Sequence, residues 1–210
     1  WLLIAFIPVS ITNDSIPHAL RTAVAAPVYQ LVSAIGAFEI YLWTAQKRWF
    51  APAGLIALII IVISLVPYLN NHYNIYPIKY SRDWQYGYKQ ALDYIKNHQG
   101  EYDLIIFTRH YGEPHMFTLF YLNYDPAKYQ NNPNLVRYET NDWVWVLRFD
   151  KYYFPDLGDE GTQFADIVKQ NPEKKMLFIG RAGDFPKEIP RLSTINFLNG
   201  ENAFDIVEAK

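Results

Sequence analysis

Residues 51–69 (APAGLIALIIIVISLVPYL) run without a single charge. A helix rises 1.5 Å per residue, so about 20 apolar residues cross a hydrocarbon core ~30 Å thick. Pro52 stands where a first-turn proline is tolerated, and Tyr68 stands where interfacial aromatics collect. A second span is predicted over residues 22–43, uncharged from Thr22 to Phe38, with Tyr41 and Trp43 as belt residues and Glu39 at the interface. Residues 1–11 (WLLIAFIPVSI) are apolar but too short to cross. With no initiating methionine and no basic n-region they are expected to be the tail of a truncated span rather than a signal peptide, which makes the chain a C-terminal fragment of a larger polytopic protein. The loop 44–50 joins the two spans into a hairpin, which places residues 12–21 and everything after 69 on one side.

The pattern then changes. Asn70–Tyr76 (NNHYNIY) is read as the start of a linker over 70–80, and residues 81–210 as a globular domain. Ser81 is expected to cap a helix carrying Trp84, Tyr88, Ala91, Leu92 and Ile95 at helical spacing and ending at Gly100. Residues 104–108 (LIIFT) form a short apolar run typical of a buried strand. A short helix is expected over 115–122 and a strand over 143–149 with an extension through 152–154. An amphipathic helix follows around Phe164, Ile167 and Val168, then a strand over 176–179. Asn199-Gly200 between two β-rich runs predicts a terminal hairpin with a two-residue loop. The expected fold is a membrane α-helical hairpin, preceded by the tail of another helix and followed by a small α/β domain with a mixed sheet of about five strands.

The average composition conceals this division. The chain has 19 Lys/Arg and 21 Asp/Glu, a net charge of −2, yet residues 1–69 contain only Asp14, Arg21, Glu39, Lys47 and Arg48. A single water-soluble domain is excluded, and the lack of a basic stripe excludes nucleic acid as a main partner. The absence of cysteine removes disulfides, thiol catalysis and Cys-ligated zinc. Basic residues flank both ends of the hairpin, with Lys47 and Arg48 opposed by Arg21, Lys79 and Arg82, so the positive-inside count leaves orientation open.

Four groups carry candidate chemistry. His18 and Arg21, where the chain re-enters the bilayer, fit an anionic lipid headgroup through guanidinium–phosphate pairing, or a simple interfacial anchor. Arg109, His110, Glu113 and His115 follow the strand at 104–108, where α/β folds place ligands, and fit a polar loop with satisfied side chains, a polar substrate, or contact with the membrane portion. Their spacing matches no zinc motif, so no metal or other cofactor is assigned and a divalent-metal requirement stays open. Asp156, Asp159 and Glu160 read as acids at a helix N-terminus rather than as paired catalytic carboxylates. Residues 180–184 (GRAGD) read as a turn without the phosphate-cradling glycine pattern. The 17 Tyr and 6 Trp suit sugar rings as well as half-buried strands or a membrane-facing surface.

In order, Ile16-Pro17-His18-Ala19-Leu20-Arg21, a helix with Pro27 and Gly36, Trp84-Gln85-Tyr86-Gly87-Tyr88-Lys89, residues 103–107, 109–115 and 120–126, and the closing 200–208 resemble the C-terminal portion of family 39 membrane glycosyltransferases of the GT-C type. These are relatives of the protein O-mannosyltransferases and the lipid A aminoarabinose transferases. The resemblance implies a polyprenyl-phosphate-linked sugar donor held in the membrane and a glycan, lipid or protein acceptor. It also implies a prokaryotic plasma-membrane location with the C-terminal domain extracytoplasmic. It places the catalytic carboxylate in an early extracytoplasmic loop that these residues do not include, so no catalytic residue is named, and it gives His18 and Arg21 the lipid phosphate. The alternative is a membrane-anchored, non-catalytic module that binds glycan or protein.

Overall fold

The computed structural model describes residues 1–11, 23–45, 50–140, 143–158 and 162–210. The chain divides into two compact units, Trp1–Leu69 and Asn70–Lys210.

The first unit holds short helical turns over Ile4–Phe6 and Ile7–Ser10 and two long helices, α1 (Ala26–Ala45, entered through a 3₁₀ turn at Ala23–Ala25) and α2 (Phe50–Asn70). Both long helices are predominantly apolar, with Gln30, Ser33 and Glu39 scattered on α1 rather than gathered into a polar stripe. Leu31, Ile35 and Phe38 on α1, and Ile56, Ile61 and Ile63 on α2, are exposed. Thr44 donates its hydroxyl to the Ile40 carbonyl at 2.7 Å, so the last turn of α1 carries no unpaired hydroxyl there. Residues 70–79, expected to be a linker, are helical instead: a π-helical turn at Asn71–Ile75 leads into Tyr76–Lys79. The stretches Ala23–Ala45 and Gly54–Lys79 are each long and apolar enough to cross a membrane.

The second unit is a seven-stranded mixed sheet with helices on both faces. Its elements are α3 (Tyr88–His98), β1 (Leu104–Phe107), α4 (Pro114–Tyr121), α5 (Pro126–Gln130), β2 (Val136–Glu139), β3 (Val144–Phe149), β4 (Tyr152–Tyr153), α6 (Thr162–Gln170), β5 (Met176–Gly180), β6 (Ser193–Asn196) and β7 (Asn202–Ala209). The strand order is β2-β3-β4-β1-β5-β7-β6. β1 pairs in parallel with β4 and β5, and the remaining pairs are antiparallel.

Alternation along β1 builds two cores. Ile105 and Phe107 pack with Tyr88, Leu92 and Ile95 of α3 on one face, while Ile106 packs with Phe164 and Ile167 of α6 on the other. A strand buried on both faces reads as a continuous apolar run, which is why LIIF carries no polar alternation. Around Tyr88 the rings interlock: Phe117 stacks at 4.2 Å between centroids, and Phe107 and Phe204 lie at 5.2 Å.

Several expectations give way. The first helix of the sheet domain begins at Tyr88, not at Ser81, because Gln85 (φ 56°) and Gly87 (φ 106°) take left-handed backbone that no helix accommodates. Ser81 donates its hydroxyl back to Ile78 instead of capping. Among the described residues there are seven strands rather than about five. β2 escapes notice because its alternation of half-buried and exposed residues is that of an edge strand. The extension of β3 turns back at Asp150 (φ 47°) and returns as β4. The terminal hairpin closes with the three residues 198–200, since Phe197 N–H reaches Glu201 C=O at 2.8 Å, and Gly200 takes φ 89°. That is the geometry of a turn followed by a left-handed glycine, not of a two-residue loop.

Gly180 closes β5 against Phe185. A Cβ there would stand 2.6 Å from the Phe185 ring and 3.0 Å from the Asp184 Cβ. Gly180→Ala is expected to cost about 1–3 kcal/mol of stability through overpacking. Gly100→Ala, where nothing lies within 4 Å, should stay within about 0.5 kcal/mol of wild type. Urea unfolding of both variants followed by tryptophan fluorescence checks the contrast; equal midpoints would contradict it.

Candidate functional site

β1 ends beside β5, and their connections part: the chain leaves β1 toward α4 and the β2 edge, and leaves β5 toward the β6 edge. Such a divergence opens a crevice at the carboxyl ends of parallel strands, the usual ligand position in open α/β sheets. Thr108 N–H still donates to Ile179, and Arg109 N–H donates to Pro155, so the loop after β1 starts from fixed backbone. Tyr111 then packs edge-on against Phe197 and Phe204, and Gln85 donates its side-chain amide to the Tyr111 carbonyl. Gly112 (φ 132°) lies so close to that amide that a Cβ would stand 2.3 Å from it.

Arg109 and His110, both expected as site residues, line a recess of ≈ 330 Å³ with Tyr138, Thr140, Trp145 and Asp156. The guanidinium of Arg109 lies 5.8 Å from the Tyr138 ring centre and 5.7 Å from that of Trp145, and donates to the Tyr138 hydroxyl. Tyr138 and Trp145 are direct partners across β2 and β3, so one cation covers an aromatic pair.

His110 also meets the β5 side. Its Nε2 is 3.4 Å from Arg181 Nη1. A guanidinium can only donate, so Nε2 accepts and the ring proton sits on Nδ1. Arg181 is itself held by Asp184, which accepts from the Arg181 backbone N–H and Nε at 2.9 Å each. Burial pushes the Asp184 carboxyl upward, and the bonds from Arg181 pull it part of the way back. His110 is held below the ordinary histidine range, first by desolvation and then by the Arg181 charge, with Asp184 opposing.

The other expected residues separate from this group. Glu113 faces a neighbouring, shallower recess with Glu139, Thr140, Trp143 and Val144. His115 is 6% exposed, packed near Phe154 in the first turn of α4. Burial, aided by Arg137, lowers it to about 4, so near neutral pH its 3.7 Å approach to Glu113 joins a carboxylate to an uncharged ring. His18 and Arg21, and Asp159 and Glu160, lie outside the described residues. Asp156 belongs to the recess and lies ahead of α6, not in its first turn. Among the described residues, no three His, Asp or Glu side chains converge as a metal ion would require.

Comparison of the chain with known protein families, curated proteins and solved structures gives no match. The site therefore rests on its own geometry.

A larger recess, ≈ 670 Å³, lies at the opposite end of the sheet around Asp103, Arg148, Asp150 and Lys151. Its polar groups are engaged in holding the fold: Lys151 caps the Gln99 and Tyr102 carbonyls, and Asp103 accepts from Lys175 N–H. Size alone does not make it the better site.

Sequence reasoning missed Arg181 and Asp184, whose segment is indeed a turn but one that delivers a guanidinium to His110. It also missed Tyr138 and Trp145. The available signal was that residues 109–115 and 180–184 both follow buried strands, hence share a sheet edge if those strands are parallel.

Two expectations follow. In an NMR titration His110 should gain its proton at a pH below that of free histidine. Arg181→Gln, by removing the neighbouring cation, should move the titration upward; an unchanged or lower value would contradict the contact. For His115 the folded group binds fewer protons than the unfolded one between about pH 4 and the unfolded value near 6.5. Stability should therefore fall as pH drops through that window, and His115→Leu should flatten that part of the profile, as read from urea midpoints at pH 4.5 and 7.

Proposed function

We propose that the chain is the C-terminal part of an integral-membrane glycosyltransferase that moves a sugar from a polyprenyl-phosphate donor to an extracytoplasmic acceptor. The observation that carries the membrane half of this reading is the pair of helical stretches Ala23–Ala45 and Gly54–Lys79. Their most apolar windows are only 6% and 0% buried. Helices this apolar belong in a protein core or in lipid, and so much exposed hydrocarbon supports a membrane setting.

The ordered resemblance to family 39 transferases supports the chemistry. In this reading a carboxylate from outside these residues acts as general base on the acceptor hydroxyl while the lipid phosphate departs. Arg21, with His18, stabilises the charge gained by that phosphate. The sheet domain selects the acceptor rather than performing chemistry.

The reading is tested in membranes containing the parent protein, supplied with radiolabelled polyprenyl-phosphate sugars. Wild type should transfer label to an acceptor. Arg21→Ala should lose at least about tenfold in turnover, equivalent to ~1.4 kcal/mol of transition-state stabilisation, without losing expression. Absence of transfer from every donor favours the non-catalytic anchored module, and equal transfer by both proteins removes Arg21 from the phosphate. These residues contain no cysteine, so once any cysteine elsewhere in the parent protein is replaced, orientation is readable with single substitutions. A membrane-impermeant maleimide should label Asn199→Cys in intact cells and Arg48→Cys only after permeabilisation.

A further inference from the structure

The hairpin of β2 and β3 presents a strip of side chains on one sheet face. Tyr138 pairs with Trp145, and Thr140 exchanges backbone hydrogen bonds with Trp143 at 2.8 and 3.4 Å. Residues two apart on a strand share a face, so Trp143 and Trp145 stand about 7 Å apart along it. Thr140 lines the Arg109 recess, so its backbone partner Trp143 stands at the rim of that recess, and the two form one groove.

The contents of this groove are specific. Trp143 is 55% exposed and offers an open indole surface. Arg109 is fixed over Tyr138 and Trp145, and its remaining N–H groups form a rigid donor fork. Asp156 spends Oδ1 on the Gly158 N–H. A ligand that satisfies all of these has an apolar ring face, several hydroxyls that both donate and accept, and more than one ring. Asp156 balances the charge of Arg109, so the groove offers no excess positive charge to phosphates, uronates or nucleotides.

We propose that this groove binds uncharged hexose units of a glycan, with Trp143 as the stacking platform and Arg109 and Asp156 bonding the ring hydroxyls. The site goes beyond sugar transfer: it lies wholly in the sheet domain, and binding here and transfer in the membrane can each fail without the other.

The test uses the full chain in lipid nanodiscs, since alkyl-glycoside detergents would compete. Saturation-transfer NMR titrations employ mannotetraose, maltotetraose, cellotetraose and chitotetraose, with tetragalacturonate and adenosine as contrasting probes. At least one neutral tetrasaccharide should bind saturably with a Kd of about 1 mM or tighter. Trp143→Ala and Asp156→Asn should each weaken it by about tenfold, with unchanged circular dichroism and melting because both residues are exposed. Trp84→Ala removes another exposed indole outside the groove and should change nothing. No saturable binding of any of the four up to about 10 mM overturns the assignment. So does full affinity in Trp143→Ala, or preference for tetragalacturonate or adenosine.

Discussion

The sheet domain depends on the parallel pairing of β1 with a strand on each side, Ile105 opposite both Tyr152 and Leu177. A strand hydrogen-bonded on both edges and apolar on both faces has no direction left in which to meet water except along its own axis. Helices must cover both faces, α3 and α4 on one and α6 on the other, and each parallel neighbour requires a long crossover. The same arrangement exposes the carboxyl end of β1 as the place where chain directions part. The recess around Arg109 and His110 thus follows from how the core is closed.

Charge at that edge is managed by burial rather than by number. Asp184, 1% exposed, holds Arg181, and Arg181 meets His110; desolvation first, and then the Arg181 charge, hold His110 below the ordinary histidine range. Arg109 is held by aromatic faces instead of a carboxylate. Two guanidinium groups therefore sit at one sheet edge with different partners. Arg181 is tied to a buried carboxylate, whereas Arg109 lies over the rings of Tyr138 and Trp145. That difference is why the groove, and not the Arg181 turn, carries the binding proposal.

Legibility followed physical cause. Strands with strong periodic signals, such as MLFI of β5 and LIIF of β1, were readable because full burial demands an unbroken apolar run. β2 was not, since VRYE at an edge carries the same pattern as a polar loop. The start of α3 was misplaced because Ser81 has the chemistry of a cap, while the left-handed backbone at Gln85 and Gly87 arises from Tyr111 and Phe204 packing against that turn. That Arg109 and His110 share a recess was legible from their position after a buried strand. His115 was grouped with them by proximity in sequence, yet the first turn of α4 rotates it into the core.

By itself the sequence determined the two-part organisation, since a charge-free run of spanning length and an α/β alternation need different surroundings, and those are properties of local composition. It also determined which strands are buried and that the loop after β1 carries polar chemistry. Only the tertiary structure decided that β4 and β5 flank β1, that Arg181 approaches His110 across 71 positions of chain, and that Tyr138 and Trp145 lie beneath Arg109. Those contacts depend on strand order and register, which are chosen by the packing of the whole sheet, and no short segment contains that information.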